Sequence, residues 1–422
     1  MKWAIIASLA ASVWFSAPCA YADTAPLRLA DVIEEARSHN PGLQAARERS
    51  RALAAVPAQV SAYDDPTVSW EAWNFPNSFQ INHADNNIFR LSQRIPFPGK
   101  RTLAGRMAER DAKRADRQVD GAELDVVTQV KRAYFDLWMA YQNIDTYRRD
   151  KGLMQNFFQL AQQRYASGEA PQSDALRAQV ELTHEANMIT TEALAIDTAR
   201  AELNALLSRE PDAPLGVPED SAPPRLEATS AELIDLALQT RPELAAQSET
   251  IAREEAGVEL AHRNYYPDFE FSFGRFVNYG QSDGFGAIAA VTIPLAYKSK
   301  YDAGVTAANA QLGSARADLR GLQDTVRRDV EQAFLRVRTA LLQHDLFIGT
   351  HIPQAEQALR VTAAAYQAGQ ADFLALIDAL RAIEAVHLEH VKAAAELQKA
   401  FADLERAVGT DLAHGGTAHT VP

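Results

Sequence analysis

The sequence has one cysteine, Cys19, in 422 residues. A single thiol excludes an intrachain disulfide and a clustered thiolate metal site. After the N-terminal segment, no apolar run is long enough to span a bilayer as a helix. There is no phosphate-cradling glycine loop and no HExxH pair, and the glycine-rich stretch at 280–286 lies between strand-like runs. Charge gives no hold for nucleic acid either, since 55 acidic against 42 basic residues leave a net of -13. No catalytic constellation emerges, so neither an enzyme nor a cofactor is expected. Proline is missing from Gly99 to Ala170 and from Gln172 to Glu210, which leaves room for long uninterrupted helices.

The N-terminus is built for export. Lys2 precedes an apolar run from Trp3 to Phe15, then small residues ending Ala20-Tyr21-Ala22. This predicts a cleaved signal peptide over 1–22. Cys19 falls inside it, with Pro18 directly before it a poor context for acylation. The mature protein is then cysteine-free, as suits a bacterial envelope protein held together by packing. If it crosses a membrane, it must use strands.

What is present is present twice. Tyr165-Ala-Ser-Gly168 returns as Tyr366-Gln-Ala-Gly369, 201 residues later. Ile33, Ala36, Pro41, Leu43 and Pro66 have partners in Ile234, Ala237, Pro242, Leu244 and Pro267 at the same offset. Ile95-Pro96 is echoed by Ile293-Pro294 at 198. One helix–hairpin–helix unit has been duplicated. The first repeat is expected over 23–210, with strands about 65–74 and 88–96 and a helical hairpin at 100–208. A proline-rich linker covers 211–229. The second repeat spans 230–409, with strands about 267–278 and 284–294 and a hairpin at 301–409. A flexible tail, 410–422, follows.

Periodicity supports each element. Val68, Trp70 and Ala72 share one strand face; Phe89, Leu91 and Ile95 alternate with Arg90, Ser92 and Arg94. Phe269, Phe271 and Phe273 alternate with Glu270, Ser272 and Gly274, and Phe285, Ala287, Ala289, Val291 and Ile293 form a fourth face. Helices are expected at 28–62 and 230–264, each broken before its proline (Pro41, Pro242). An outgoing helix over 100–165 is ~100 Å long at about 1.5 Å per residue. Four strands of ~10 residues match a tilted bilayer crossing but cannot close a barrel. Three copies giving twelve strands are the simplest closure. The fold class is therefore mainly α with a small β part: a trimeric 12-stranded β-barrel, four strands per chain, continuing into a long α-helical barrel. A soluble α+β protein with two ordinary hairpins fits the alternation equally well.

The duplication, the two hairpins, the Tyr-x-x-Gly turns at 165–168 and 366–369 and the Ile-Pro strand exits together resemble the outer-membrane efflux protein family, the TolC-like channels of Gram-negative bacteria. The likeness covers essentially the whole mature chain. It implies an outer-membrane homotrimer with a periplasmic tunnel, docked to a periplasmic adaptor and an inner-membrane pump of the resistance–nodulation–division (RND) type. It also implies that Tyr165, Gly168, Tyr366 and Gly369 form the tip that meets the adaptor. Asp174 and Asp378 match acidic gate positions, while Ala375 stands where a further acid often occurs. Pro96 to Arg101 (PFPGKR) resembles the strand exit of heavy-metal members, the CzcC- and CusC-like channels. His387 and His390, three apart, are weak metal candidates, as are His414 and His419 in the tail. Drug or solvent efflux and type I secretion remain open, as does a soluble periplasmic coiled-coil scaffold.

Overall fold

The computed structural model describes residues 26–74, 84–278 and 282–412. The expected signal segment with Cys19, most of the loop from Phe75 and the tail histidines His414 and His419 lie outside them. Among the described residues, no helix is long and apolar enough to cross a membrane.

The first repeat comprises α1 (Leu29–His39), α2 (Pro41–Ser61), β1 (Thr67–Trp73), β2 (Asn86–Ile95), α3 (Lys100–Ala166) and α4 (Gln172–Leu206). The second comprises α5 (Ser230–Thr240), α6 (Pro242–Arg263), β3 (Asp268–Asn278), β4 (Gly284–Thr292), α7 (Asp302–Leu346), α8 (Ile352–Gln367) and α9 (Phe373–Val408).

Both helix breaks have one cause. Asn40 and Arg241 precede prolines and adopt nearly the same extended backbone (ψ 122° and 118°), because a residue before proline avoids helical geometry. Each break then caps another helix. Asn40 Nδ2 donates to the Leu206 carbonyl at 3.0 Å, at the end of α4. Arg241 Nη1 donates to Ala407 at 2.8 Å and Thr240 Oγ1 to Val408 at 2.7 Å, at the end of α9. Those carbonyls have no partner within their own helices. In consequence α2 and α6 prolong the returning helices end to end.

The second outgoing helix, which opens the hairpin expected over 301–409, is not one piece. It is instead interrupted by a π-helical turn at Phe347–His351, with another π-helical turn, Tyr297–Tyr301, before α7. Pro353 explains the interruption: it has no N–H, and its ring crowds the carbonyl four residues back. The wider turn, in which Ile352 N–H reaches the Phe347 carbonyl, relieves that crowding. The turn also holds one additional residue. Val126, Val130, Ala133, Leu137 and Ala140 of α3 correspond to Val326, Val330, Ala333, Val337 and Ala340 of α7 at an offset of 200, all buried. Beyond the turn, the offset is again 201.

The strands form one antiparallel sheet in the order β1-β2-β3-β4. Its register puts Trp70 opposite Phe89, Leu91 opposite Phe273, and Phe273 opposite Ala287. Val68, Trp70, Leu91, Phe271, Phe273 and Phe285 are all exposed on that apolar face. The other face carries the Arg90–Glu71 pair at 2.7 Å and the Ser92–Ser272 hydroxyl contact at 2.8 Å. The outer edges of β1 and β4 pair with nothing in the described chain. The Pro96–Arg101 segment turns strand into helix: Gly99 takes φ 95°, and Asp268 accepts from Phe97 N at 2.9 Å and Lys100 Nζ at 2.8 Å.

Among the described residues, three apolar cores hold the helices. One is confined to the first repeat, around Val130, Tyr134, Leu137 and Leu203. A second, in the other repeat, surrounds Val330, Val337, Leu397 and Leu404. The third mixes both repeats near the hairpin ends, joining Met154, Phe157 and Ala161 to Tyr366, Phe373 and Leu376. Between the repeats α3 meets α9 through charge: Lys131–Glu405, Arg132–Asp403 at 2.9 Å, Lys399–Asp136 at 2.7 Å and Arg406–Asp125 at 2.5 Å. The linker is tied down too, since Tyr134 OH donates to Glu219 O at 3.3 Å and Asn204 Nδ2 to Ala213 O at 2.9 Å. The expected tail starts with residues held back, Leu412 N donating to Glu405 Oε1 at 3.2 Å.

Candidate functional site at the hairpin ends

The two Tyr-x-x-Gly turns fold alike. Gly168 and Gly369 have φ 76° and 71°, a left-handed conformation that glycine adopts at helix C-termini without Cβ strain. Their N–H groups return to Tyr165 O at 3.0 Å and Tyr366 O at 3.1 Å. Glu169 N and Gln370 N reach Arg164 O and Ala365 O, both at 2.8 Å. The returning helices start differently. Asp372 caps α9 through Ala375 N at 2.8 Å, whereas α4 starts after Pro171 without a side-chain cap.

The two tyrosines part company. Tyr165 is exposed, and so are both glycines. Tyr366, expected with its turn at the adaptor-facing tip, has a side chain only 1% exposed within the chain. It packs against Phe373 in the core shared by both repeats, at 5.3 Å between ring centres. Arg164, from the first turn, donates to the Tyr366 carbonyl and lays its guanidinium 4.8 Å from the ring centre. Asp174 is buried beside Tyr366, and burial together with this carboxylate raises the phenol's pKa. Asp174 therefore does not present an open charge; it belongs to a cross-repeat clasp of Arg164, Asp174 and Tyr366. Asp378 and Ala375 are exposed on α9. Sequence reasoning missed Arg164. Its signal was the difference between the repeats at one position, since the second carries Ala365 there.

Further along the hairpins, acids gather. Asp150 of α3 and Glu185 of α4 are buried, with Glu384 of α9 beside them. Burial, then the hydrogen-bonded Glu384, pushes the Glu185 carboxyl up to about 8; burial and Glu384 push Asp150 up to about 6. The nearby Arg381 hydrogen-bonds Glu181 and acts on Glu384 only through space.

His387 and His390 do share α9, but His390 faces another helix. Its ring lies 5.4 Å from His344 of α7. Burial lowers the pKa of both α9 imidazoles, with Arg149 adding to the effect at His387 and His344 at His390.

Comparison with known proteins fits this architecture. The model of the family described as outer membrane efflux protein matches residues 32–209 and again 233–410, one match per repeat. The cobalt-zinc-cadmium resistance protein CzcC of Cupriavidus metallidurans is 22% identical over 91% of this chain and 90% of its own. Outer membrane protein OprJ of Pseudomonas aeruginosa is 24% identical over 87% of this chain and 76% of its own. Among solved structures, one of CusC superposes with a TM-score of 0.76 at 15% identity, covering 92% of this chain and 94% of that one. The outer membrane protein VceC of Vibrio cholerae gives 0.75 at 20% identity, covering 90% and 96%.

Proposed function

The chain belongs to the outer membrane efflux protein family, and from that premise we propose that it is the exit duct for heavy-metal cations in a tripartite system. Membership makes it an outer-membrane efflux channel and not an enzyme, and it removes the reading as a soluble periplasmic scaffold. The proposal concerns what passes through the channel, how many copies form it and what opens it.

Three copies close the barrel, with β4 of each chain pairing with β1 of the next. Two free sheet edges support this, since open edges are not tolerated in lipid. So does the exposed apolar face, which suits contact with acyl chains while Glu71, Arg90 and Ser92 line a wet lumen. The helical hairpins continue the tube into the periplasm. Energy comes from an RND-type pump, and a periplasmic adaptor meets the exposed tip at Tyr165, Gly168 and Gly369. Adaptor contact would then release the Arg164–Asp174–Tyr366 clasp, a two-state change in packing and hydrogen bonding.

The cation reading is carried by the likeness to CzcC along nine-tenths of both chains. OprJ aligns almost as extensively, so the channel's architecture does not by itself choose the cargo. A strain lacking the gene decides it. Loss of tolerance to divalent transition metals, with hydrophobic-drug tolerance unchanged, is the expected result. The reverse pattern would make the channel a drug or solvent duct.

Asp378, exposed near the start of α9, is the acid we place on the cation path, as one of three around the axis. Asp378→Ala should weaken block by divalent cations in planar bilayers and raise single-channel conductance. Unchanged conductance and block would take Asp378 out of the path.

A further inference from the structure

A cavity of about 410 Å³ lies between the repeats, walled by α3 and α9 and bordered by linker residues. Asp220 of the linker accepts from Trp138 Nε1 at 2.8 Å and Gln142 Nε2 at 2.9 Å, which holds the linker over it. His344, His387 and His390 all line it. His344 Nδ1, His387 Nδ1 and His390 Nε2 are buried without a hydrogen bond in the chain; the Asp345 carboxylate lies 3.6 Å from His344 Nδ1, beyond hydrogen-bond distance. Buried polar atoms are nearly always hydrogen-bonded, so three ring nitrogens without a hydrogen bond at one cavity call for a ligand.

The duplication supplies an internal control. At an offset of 200, His344 corresponds to Ile144, a core residue of the first repeat. At 201, His390 corresponds to Ile189, packed on that same core. Where one repeat has two isoleucines, the other has two imidazoles. Apolar packing satisfies this part of the fold in the first repeat, so the fold does not require histidine here.

We propose that this cavity binds one divalent transition-metal ion through His344 and His390. Two imidazoles bound side by side on one ion, with metal–nitrogen bonds of about 2.0–2.1 Å, have ring centres roughly 4.5–5 Å apart. The observed separation is 5.4 Å. Among the described residues, no three His, Cys, Asp or Glu are grouped to hold an ion, so water fills the remaining positions. An imidazole and water ligand set favours copper(II) over nickel, zinc and cobalt. The ion would bridge α7, just before its π-helical turn, to α9. The site lies in the wall of the hairpin, so it stands whether or not metal is the exported cargo.

Trp138 lines the same cavity and serves as the probe. The mature chain, without the signal segment that carries Trp3 and Trp14, is purified in detergent with Trp70→Phe and Trp73→Phe, and Trp138 emission is followed during titration with copper(II). Saturable quenching at one ion per chain is expected. His344→Ile and His390→Ile, which install the first repeat's own residues, should each weaken it at least tenfold, while His184→Ala at an exposed position should not. Quenching unaffected by the double isoleucine substitution, or absent in the parent protein, overturns the site. If the isoleucine variants fail to assemble, electron paramagnetic resonance of the copper-loaded parent decides: two equivalent imidazole nitrogens support the site, and none refutes it.

Discussion

Glu185→Gln should raise the midpoint of thermal unfolding at pH 8 and leave it nearly unchanged at pH 5. The Glu185 carboxyl is held up at about 8 in the folded chain, against 4.5 for an ordinary glutamate. A folded-state pKa above the unfolded one means that the folded chain binds more protons. Stability then falls as pH rises from about 4.5 through 8, and the native state is favoured on the acid side. The cause is physical crowding: Glu185 and Asp150 are 2% and 6% exposed, and Glu384 shares the Glu185 proton. Glutamine keeps the shape and a hydrogen-bond donor but cannot ionise. A gain of about 2 kcal/mol per chain at pH 8 is a reasonable scale for relieving one strained buried carboxylate. Asp150→Asn should act between pH 4 and 6 in the same direction, more weakly, since its pKa is pushed up only to about 6. Calorimetry of the parent and Glu185→Gln across pH 5–9 checks this. Parallel curves would show that Glu185 carries no titration of this size.

Arg164→Ala should produce the largest functional change, a shift of the isolated channel toward an open tip. The guanidinium is the first repeat's hold on Tyr366: it bonds that residue's carbonyl and stacks on its ring. A hydrogen bond to a charged group contributes about 1.5–3 kcal/mol. Removing it from a two-state tip changes the closed-to-open ratio by roughly 10–100-fold per chain. Conductance in planar bilayers should rise several-fold, and cells should become permeable to large hydrophilic antibiotics. Tyr366→Phe, which removes only the hydroxyl beside Asp174, should have a smaller effect in the same direction. If Arg164→Ala channels keep the parent conductance, the clasp is structural and the gate lies elsewhere.

How much of this was legible depended on whether the information was periodic. Helix breaks at Asn40 and Arg241 follow from the next residue being proline, and the strand faces from a two-residue alternation that the register reproduces. Both glycine turns announce themselves by repetition. The clasp did not, because Arg164 has no counterpart in the second repeat and its partner is 202 residues away. Repetition alone gave Tyr165 and Tyr366 the same part in the two turns. Matching Tyr-x-x-Gly motifs acquire different surroundings once α9 packs on α3. The His344–His390 pair was missed for a similar reason: i, i+3 spacing joins His387 to His390 along one helix, whereas the ring contact crosses between two. The π-helical turn at Phe347–His351 was hidden behind Pro353, which signals a disturbance but not the extra residue.

That extra residue determines which way the second tip points. Each residue added to an ordinary helix rotates everything beyond it by about 100°. Had the insertion been wound into regular α-helix, Tyr366 would have swung from the shared core toward another quadrant, away from Arg164. By absorbing the residue in one widened turn, the second repeat keeps its end in phase with the first. The two hairpin ends can therefore interlock although the helices leading to them differ in length.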